Sequence, residues 1–250
     1  MINATTFEAQ LRYLKLAYTS RHHAELTADA VKQRLSHAQF LRRVVEAEAQ
    51  DRQQHALLRR IKAARFPVKK TLDQFRWDWP KTNEAQVRHL FELRWIEERT
   101  NVVFCGGVGL GKTHLSTALG YAACQAGHAV LFTTAVDAVN TLLAAQAAHR
   151  LHSELKKYIT PGLLVLDEVG YLPLDKAGAD LLFQIVSQRY ERGSIIVTTN
   201  KAYKHWPSIF NNDAGITSAI LDRLLHRAQT VVIEGKSFRM KDRLNEETTV

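Results

Sequence analysis

A chain of 250 residues with a net charge of +9 is long enough for one large domain, or for a core domain with a smaller companion, and basic enough to seek a polyanion. No apolar run approaches the ~18 residues of a membrane span, and no basic, apolar and cleavage-site pattern opens the chain. The protein is therefore expected to be soluble, not secreted, and cytoplasmic. Two cysteines, Cys105 and Cys124, read as buried thiols rather than a disulfide or metal pair, and the eleven histidines show no ligand spacing.

From Met1 to Arg76 there are 15 Lys and Arg against 7 Asp and Glu, and from Trp77 to Val250 there are 19 against 18, so the first third carries nearly all the excess. That third has helical periodicity and no strand signal. Phe7, Leu11, Leu14 and Tyr18 form one apolar stripe; Leu35, Phe40, Leu41, Val44 and Val45 form another. Arg12, Lys15, Arg42, Arg43, Arg52, Arg59, Arg60 and Lys62 take the other faces. A long helix is predicted from Ser36 through Ile61, ended by Phe66-Pro67, and its polar stretch Gln50 to His55 predicts that it projects. The pair His22-His23 reads as surface or nucleic-acid-facing. Lys69 to Pro80 is a junction, where Phe75, Trp77 and Trp79 either stack on bases or plug a seam between domains, their position favouring the seam. The predicted division is a basic helical domain, residues 1–76, and a second domain, residues 77–250.

Asn83 is placed to cap a helix from Glu84 to about Glu98. Beyond Asn101 strands and helices alternate, which predicts an α/β fold with a mainly parallel five-stranded sheet. Strands are expected at Val102–Cys105, Ala129–Thr133, Leu163–Leu166, Ile195–Thr198 and Thr230–Ile233. Helices are expected near Lys112–Ala126, Val136–Ala148, Lys176–Arg192 and Ser218–Ala228.

Between the first strand and its helix stands Gly106-Gly107-Val108-Gly109-Leu110-Gly111-Lys112-Thr113, a G-x-x-x-x-G-K-T phosphate loop in strand-to-helix context, with His114 opening the helix behind it. The glycines let backbone N–H groups curl around phosphates, Lys112 reaches the β and γ phosphates, and Thr113 offers a hydroxyl to Mg²⁺. ATP or GTP binding with Mg²⁺ is therefore expected. Leu163 to Leu166 is an aliphatic strand ending in Asp167 and Glu168; Asp167 suits Mg²⁺ and Glu168 suits polarising the attacking water. The alternative for Asp167, an acidic helix cap, fits poorly with Gly170 and Pro173 following. Asn200, at the tip of Ile195 to Thr199, is placed to sense the γ-phosphate or hold water, although Asn after a strand is also a common turn residue. Arg223 and Arg227, four apart on a late helix, are either surface ion-pair partners or, in an assembly, a finger onto a neighbour's phosphate.

The set GGVGLGKTHLS, LLVLDEVGYLPL, IIVTTN and AILDRLLHRA resembles the IstB-like ATPases, transposition helper proteins of bacterial insertion sequences, which are similar to the DnaC helicase loader and the DnaA initiator in the AAA+ superfamily. The resemblance spans essentially the whole chain. It implies a bacterial, ATP-dependent, largely non-sequence-specific binder of double-stranded DNA that self-associates into a ring or helical oligomer, deforms its target and recruits and stimulates a transposase. It implies nucleoid association when DNA is bound and no membrane partner. It also implies catalytic roles for Lys112, Asp167, Glu168 and Asn200, a finger at Arg223 rather than Arg227, metal contacts from Thr113 and Asp167, and the absence of a substantial C-terminal lid, so that the N-terminal region or a neighbour completes the adenine pocket. DNA contacts are expected within Val136 to Tyr158, where Arg150, Lys156 and Lys157 cluster, or on the N-terminal arginines, which otherwise meet the transposase. A helicase loader is the competing reading. A metabolic kinase is disfavoured, since no acceptor-substrate pocket is suggested.

Overall fold

The computed structural model describes residues 6–79 and 81–238; Pro80, the end of the expected junction, lies outside the described residues. Contacts divide the chain into two compact units, Met1–Arg59 and Arg60–Val250.

The first unit contains α1 (Phe7–Tyr13), α2 (Ala17–Lys32) and most of α3 (His37–Ala64). The stripe from Phe7 to Tyr18 is interrupted, because the chain turns at Leu14 and Lys15 has φ 57°. Leu11 is buried, but Phe7 and Leu14 are 56% and 60% exposed, and Leu41 and Val45 of the second stripe also face outward. Leu11 and Leu26 are the buried hydrophobics among this unit's described residues, so polar ties carry much of its cohesion. Glu48 of α3 accepts from the Thr19 backbone N–H at 3.0 Å and the Thr19 hydroxyl at 3.1 Å. Thr19 lies in the first turn of α2, whose N-cap, Leu16, has no side-chain acceptor; the carboxylate therefore satisfies an otherwise orphaned donor at the positive helix end. Burial pushes the Glu48 carboxyl up, but the bonds from Thr19 and Arg52 outweigh it and hold it below its ordinary value. His22 stacks on Tyr18 at 4.2 Å and His23 packs edge-on against Phe7 at 5.4 Å. Both are half-buried packing residues, which corrects the expectation of a surface pair.

The second unit is built on β1 (Asn101–Gly106), β2 (Val130–Thr134), β3 (Leu163–Val169), β4 (Ser194–Thr199) and β5 (Ala228–Ile233). Their order is β2-β3-β4-β1-β5, with every neighbouring pair parallel. Strands covered on both faces read as aliphatic runs, and Leu163 to Leu166 are at most 1% exposed. Helix α6 (Lys112–Gln125) packs on β1 to β4, whereas α7 (Ala135–Ala147), α9 (Lys176–Arg189) and α10 (Ala214–Leu225) share an apolar layer in which Leu142, Ile185 and Ile220 meet Leu164, Leu166 and Val197. Thr134, Asp175 and Asp213 cap these last three helices with side-chain oxygens. A left-handed turn at His149, φ 54°, separates α7 from α8 (Leu151–Ile159).

The helix expected from Glu84 to Glu98 is two helices. Asn83 caps α4 (Glu84–Leu90) as expected, but Leu93 at φ 62° breaks the run before α5 (Arg94–Glu97). The break lets the Trp95 indole N–H donate to Leu90 O at 2.7 Å, so one buried side chain satisfies an end carbonyl of α4.

Residues 60–76 pack with the second unit. Phe66 lies where a Cβ on Gly120 would be 2.8 Å from its ring, Lys69 sits 5.2 Å from the Tyr121 ring, His114 Nε2 donates to Thr71 O at 2.9 Å, and Phe75 lies against Gly111. The linker thus runs along α6 toward the phosphate loop, and Gly120 and Gly111 admit its two phenylalanines. This redistributes the basic excess: residues 1–59 have nine Lys and Arg against six Asp and Glu, and residues 60–76 have six against one.

At the opposite, N-terminal edge of the sheet, Arg189 is 1% exposed. Its guanidinium donates to the carbonyls of Tyr158 (2.8 Å), Ile159 (3.2 Å), Pro161 (2.8 Å), Gly162 (3.1 Å) and Ser194 (2.7 Å). Burial pushes its pKa down to about 10. One cation therefore ties the end of α8 to the starts of β3 and β4, with the helix's negative end as a favourable neighbour.

Candidate active site

In a parallel sheet the loops after adjacent strands open on one edge. The pairings Cys105↔Thr199 and Val169↔Thr199 set the ends of β1, β4 and β3 side by side, and this brings the phosphate loop, the Asp167-Glu168 pair and Asn200 together.

Gly109 and Gly111 have φ of 76° and 86°, values that L side chains rarely adopt. Gly111 is the N-cap of α6 and supplies no side-chain acceptor, and the first turn of α6 has no acidic residue, so its leading N–H groups suit an anion. Gly106 ends β1 opposite Ile233, and a Cβ there would collide with Ile233 O. Val108 is exposed and Leu110 is buried as the loop's apolar anchor. Lys112 is 4% exposed; its Nζ donates to Gly107 O at 2.6 Å and lies 6.0 Å from the Tyr171 ring centroid. His114 lines the cleft, with its imidazole N–H committed to the linker carbonyl; desolvation, with Lys70 nearby, lowers its pKa.

Asp167 is 3% exposed. Its carboxylate accepts from the Thr113 hydroxyl at 3.0 and 3.2 Å and from the Thr198 hydroxyl at 2.5 Å. Burial raises its pKa, against the opposing pull of Thr198, Thr113 and Lys112. Thr198 also accepts the Glu168 backbone N–H at 2.9 Å. Glu168 follows at φ 61°, where the β3–β4 register shifts between Leu166 and Val169, and its side chain is exposed toward the cleft. The two acids thus differ in setting: one is desolvated between hydroxyls, the other reaches water. Asn200 lies just beyond β4, in a turn fixed by Lys201 N–H to Thr199 Oγ1 (3.1 Å) and Trp206 Nε1 to Lys201 O (3.2 Å). Its Oδ1 is buried with no partner among the described residues.

The cleft encloses about 430 Å³, within the range of small-molecule sites. Beyond the phosphate loop it is walled by Phe75, Trp79, Tyr171 and Phe238. Phe75 packs edge-on against Trp77 at 4.8 Å and His114 at 5.5 Å, and Trp79 against Phe238 at 6.1 Å. The short segment after β5 folds over the loop: Phe238 N–H donates to Gly109 O at 3.0 Å, and Trp79 Nε1 donates to Lys236 O at 2.8 Å. The junction aromatics therefore serve the cleft.

Arg223 lies at the other edge of the sheet. It lines a hollow with Arg99, Asn101, Arg189 and Arg227; its Nη1 donates to Ala219 O at 2.9 Å, and its guanidinium stands 5.0 Å from the Phe183 ring. Asn101 Nδ2 holds Leu224 O at 3.0 Å, which fixes that end of α10 to the start of β1. The six-residue strand β1 places about 17 Å between this edge and its own phosphate loop, at ~3.3 Å per residue. Arg227 is exposed near the same edge. Arg150, at the N-cap of α8, and Lys156 and Lys157 on it are exposed, Lys157 being paired with Glu154 at 2.8 Å, while Leu155 and Tyr158 are buried.

A nucleoside triphosphate and Mg²⁺ fit these residues. The uncapped α6 N-terminus, the glycine cradle and the orphaned Asn200 oxygen suit phosphates and an ordered water, and the Thr113 hydroxyl beside the Asp167 carboxylate forms a hard oxygen pair. Among the described residues no group of three or more His, Cys, Asp or Glu side chains is placed to hold a metal, so the cation would take further oxygens from phosphate. Sequence reasoning missed Thr198, whose only signal was its place in an aliphatic strand two residues before Asn200, and it missed Tyr171.

Residues 9–246 match the family described as IstB-like ATP binding protein. The chain is 37% identical over 238 residues to a protein described as ATP-binding from insertion sequence IS232 of Bacillus thuringiensis subsp. berliner, covering 95% of each. It is 39% identical over 237 residues to the corresponding protein of insertion sequence IS21 of Pseudomonas aeruginosa, covering 94% of this chain and 89% of that one. The fold is similar to that of AMPPCP-bound DnaA from Aquifex aeolicus, with TM-score 0.54 and 21% identity; the match covers 73% of this chain and 56% of that one.

Proposed function

The chain belongs to the IstB-like ATP-binding protein family, and on that premise we propose that it is a Mg²⁺-dependent ATPase that assembles on double-stranded DNA, deforms it and recruits a transposase during transposition. The observation that carries this reading is the separation of its parts: the phosphate cradle and both acids lie at one edge of the sheet and Arg223 at the other. A finger in that place reaches another copy's phosphate and not its own.

In this reading Lys112 leaves Gly107 O for the β and γ phosphates, which replaces a neutral acceptor by charged ones. Thr113 and Asp167 hold the cation, which supplies Lewis-acid polarisation of the phosphoryl oxygens when bound. Thr198 keeps Asp167 oriented. Glu168 takes a hydrogen bond from the attacking water and draws its proton, and Asn200 orders that water against the phosphoryl group. Arg223 of a neighbouring copy supplies positive charge as negative charge builds on the γ-phosphoryl group passing from ADP to water, so turnover follows assembly. Duplex backbone is contacted by Arg150 at the N-cap of α8 and Lys156 on it, and residues 1–59 dock the transposase or clamp the duplex; such contacts accept any sequence and weaken with salt. Ring and helical filament are both compatible with a finger acting in trans, and the working place is the bacterial nucleoid.

The test is a mixing experiment. Subunits carrying Arg223→Ala and subunits carrying Glu168→Gln should each be inactive alone and regain turnover when mixed with duplex DNA present. No recovery, or full activity of Arg223→Ala alone, refutes a finger in trans. Unchanged particle size and ATP turnover on adding duplex DNA would refute assembly on DNA.

A further inference from the structure

Thr117, one helical turn beyond Thr113, is 1% exposed and lines the cleft, yet its hydroxyl has no hydrogen-bond partner among the described residues. A helical threonine ordinarily returns its hydroxyl to the carbonyl three or four residues back. Here Thr113 O accepts instead from the Ser116 hydroxyl at 3.1 Å. Thr117 is therefore a buried, uncommitted donor and acceptor facing a cavity, and such groups are rare unless a ligand or water completes them. The linker passes over this face of α6, held by Phe66 at Gly120 on one side of Thr117 and by Phe75 at Gly111 on the other. Between them Val68, Lys70 and Gln74 line the same cleft. The slot lies on the linker side of the phosphate cradle and has an aromatic wall, so it suits the base end of a nucleotide.

Gln74 adds a direction. Its Oε1 accepts the Thr71 backbone N–H at 3.3 Å, and among the described residues its Nε2 has no bond, so both amide hydrogens are left to donate. A donor beside a hydroxyl that can accept matches adenine, which presents ring N1 as acceptor and the 6-amino group as donor. With the base in that same register, Gln74 at N1 and Thr117 at the 6-substituent, a 6-oxopurine presents N1–H to the amide hydrogens, donor against donor.

Resting on the nucleotide-site reading above, we propose that Thr117 and Gln74 are the specificity-determining residues that read the amino edge of an adenine base inserted between α6 and the linker. The full chain is titrated calorimetrically with the non-hydrolysable imido analogues of ATP and inosine triphosphate, and with inorganic tripolyphosphate, which has no base. The wild type should prefer the adenine analogue at least tenfold, about 1.4 kcal/mol. Thr117→Val should bring the preference within threefold of unity without changing tripolyphosphate affinity, and Thr117→Ser should restore it. An unaltered preference, or an equal loss for tripolyphosphate, overturns the assignment. Gln74 is exposed, so Gln74→Glu tests the idea with little risk to folding: turning the donor into an acceptor should shift preference toward the inosine analogue, and an unshifted ratio again overturns it. If the wild type binds tripolyphosphate no better than Lys112→Ala does, the nucleotide-site reading itself fails, a result distinct from loss of base selection alone.

Discussion

Replacing Arg189 by methionine keeps much of the side chain's length and apolar stem but deletes the guanidinium that serves five carbonyls. Hydrogen bonds from a charged donor contribute about 1.5–3 kcal/mol each, and three of these share one nitrogen with two hydrogens, so roughly four full bonds are lost, about 6–12 kcal/mol gross. Against that stands the cost of burying the cation. Burial pushes its pKa down to about 10, which at 1.36 kcal/mol per unit amounts to about 3 kcal/mol recovered. Carbonyls at the strand starts regain some water on local loosening, so we expect a net loss of about 3–5 kcal/mol, the range for stripping one partner from a buried charged network. At ~2–4 °C per kcal/mol for a domain of this size, Tm should fall by roughly 10 °C. Scanning calorimetry gives the first number, and an ATP-analogue titration at 10 °C should give an unchanged Kd, because the clamp lies at the edge of the sheet away from the phosphate loop. Arg189→Lys, with three donors, should recover part of the stability. A Met variant within 1 kcal/mol of wild type, or one whose nucleotide affinity falls as far as its stability, refutes the clamp.

Gly111→Ala should cost at least tenfold in ATP-analogue affinity, because φ is 86° and the new Cβ would lie 2.6 Å from the Phe75 ring; Gly107→Ala meets nothing nearer than 3.5 Å and should be close to neutral, so equal losses in titration would contradict the geometry. Asp167→Asn should abolish hydrolysis yet leave the ligand-free Tm at pH 7.5 at or above wild type. The carboxyl's raised pKa means that its ionised form is penalised in the fold, so stability present below the unfolded pKa is lost as pH rises through the folded one; a pH series of melts should show the variant's advantage shrinking on acidification, and an advantage independent of pH would contradict the assignment. Glu48 has the opposite sign: its depressed pKa means a contribution present above the unfolded value and lost as pH falls through the folded one. Protection of the amides at the start of α2, relative to their intrinsic exchange at each pH, should therefore fall on acidification in the wild type and not in Glu48→Gln, and an identical acid step in both would show that the carboxylate does not cap α2.

What was legible in the sequence was chemistry written locally. The loop Gly106 to Thr113 needs its spelling to curl around phosphate, and Leu163 to Leu166 followed by two acids needs only a strand to deliver them. Strand positions were recovered because continuous aliphatics have few other homes than a covered parallel sheet. The rest depends on partners distant in the chain. Leu93 gives no sign of breaking a helix until the Trp95 indole finds Leu90 O. Arg189 looks like an ordinary basic residue at a helix end until residues 158–162 and 194 converge on it. Thr198 acquires meaning only when β3 and β4 pair. Phe75 read as a seam residue, and the seam proved to be the wall of the cleft, because the linker follows α6 down to Gly111.

Glu168 occupies a left-handed backbone position, φ 61°, where glycine would sit without strain and an ordinary L-residue costs on the order of 1 kcal/mol. On the role proposed for Glu168 in activating water, folding and turnover pull this site in opposite directions. A selection for heat resistance alone would tend to discard the glutamate and enrich glycine there, yielding a sturdier protein that grips its fuel and cannot spend it. Robustness ranked by melting temperature would favour the inert version.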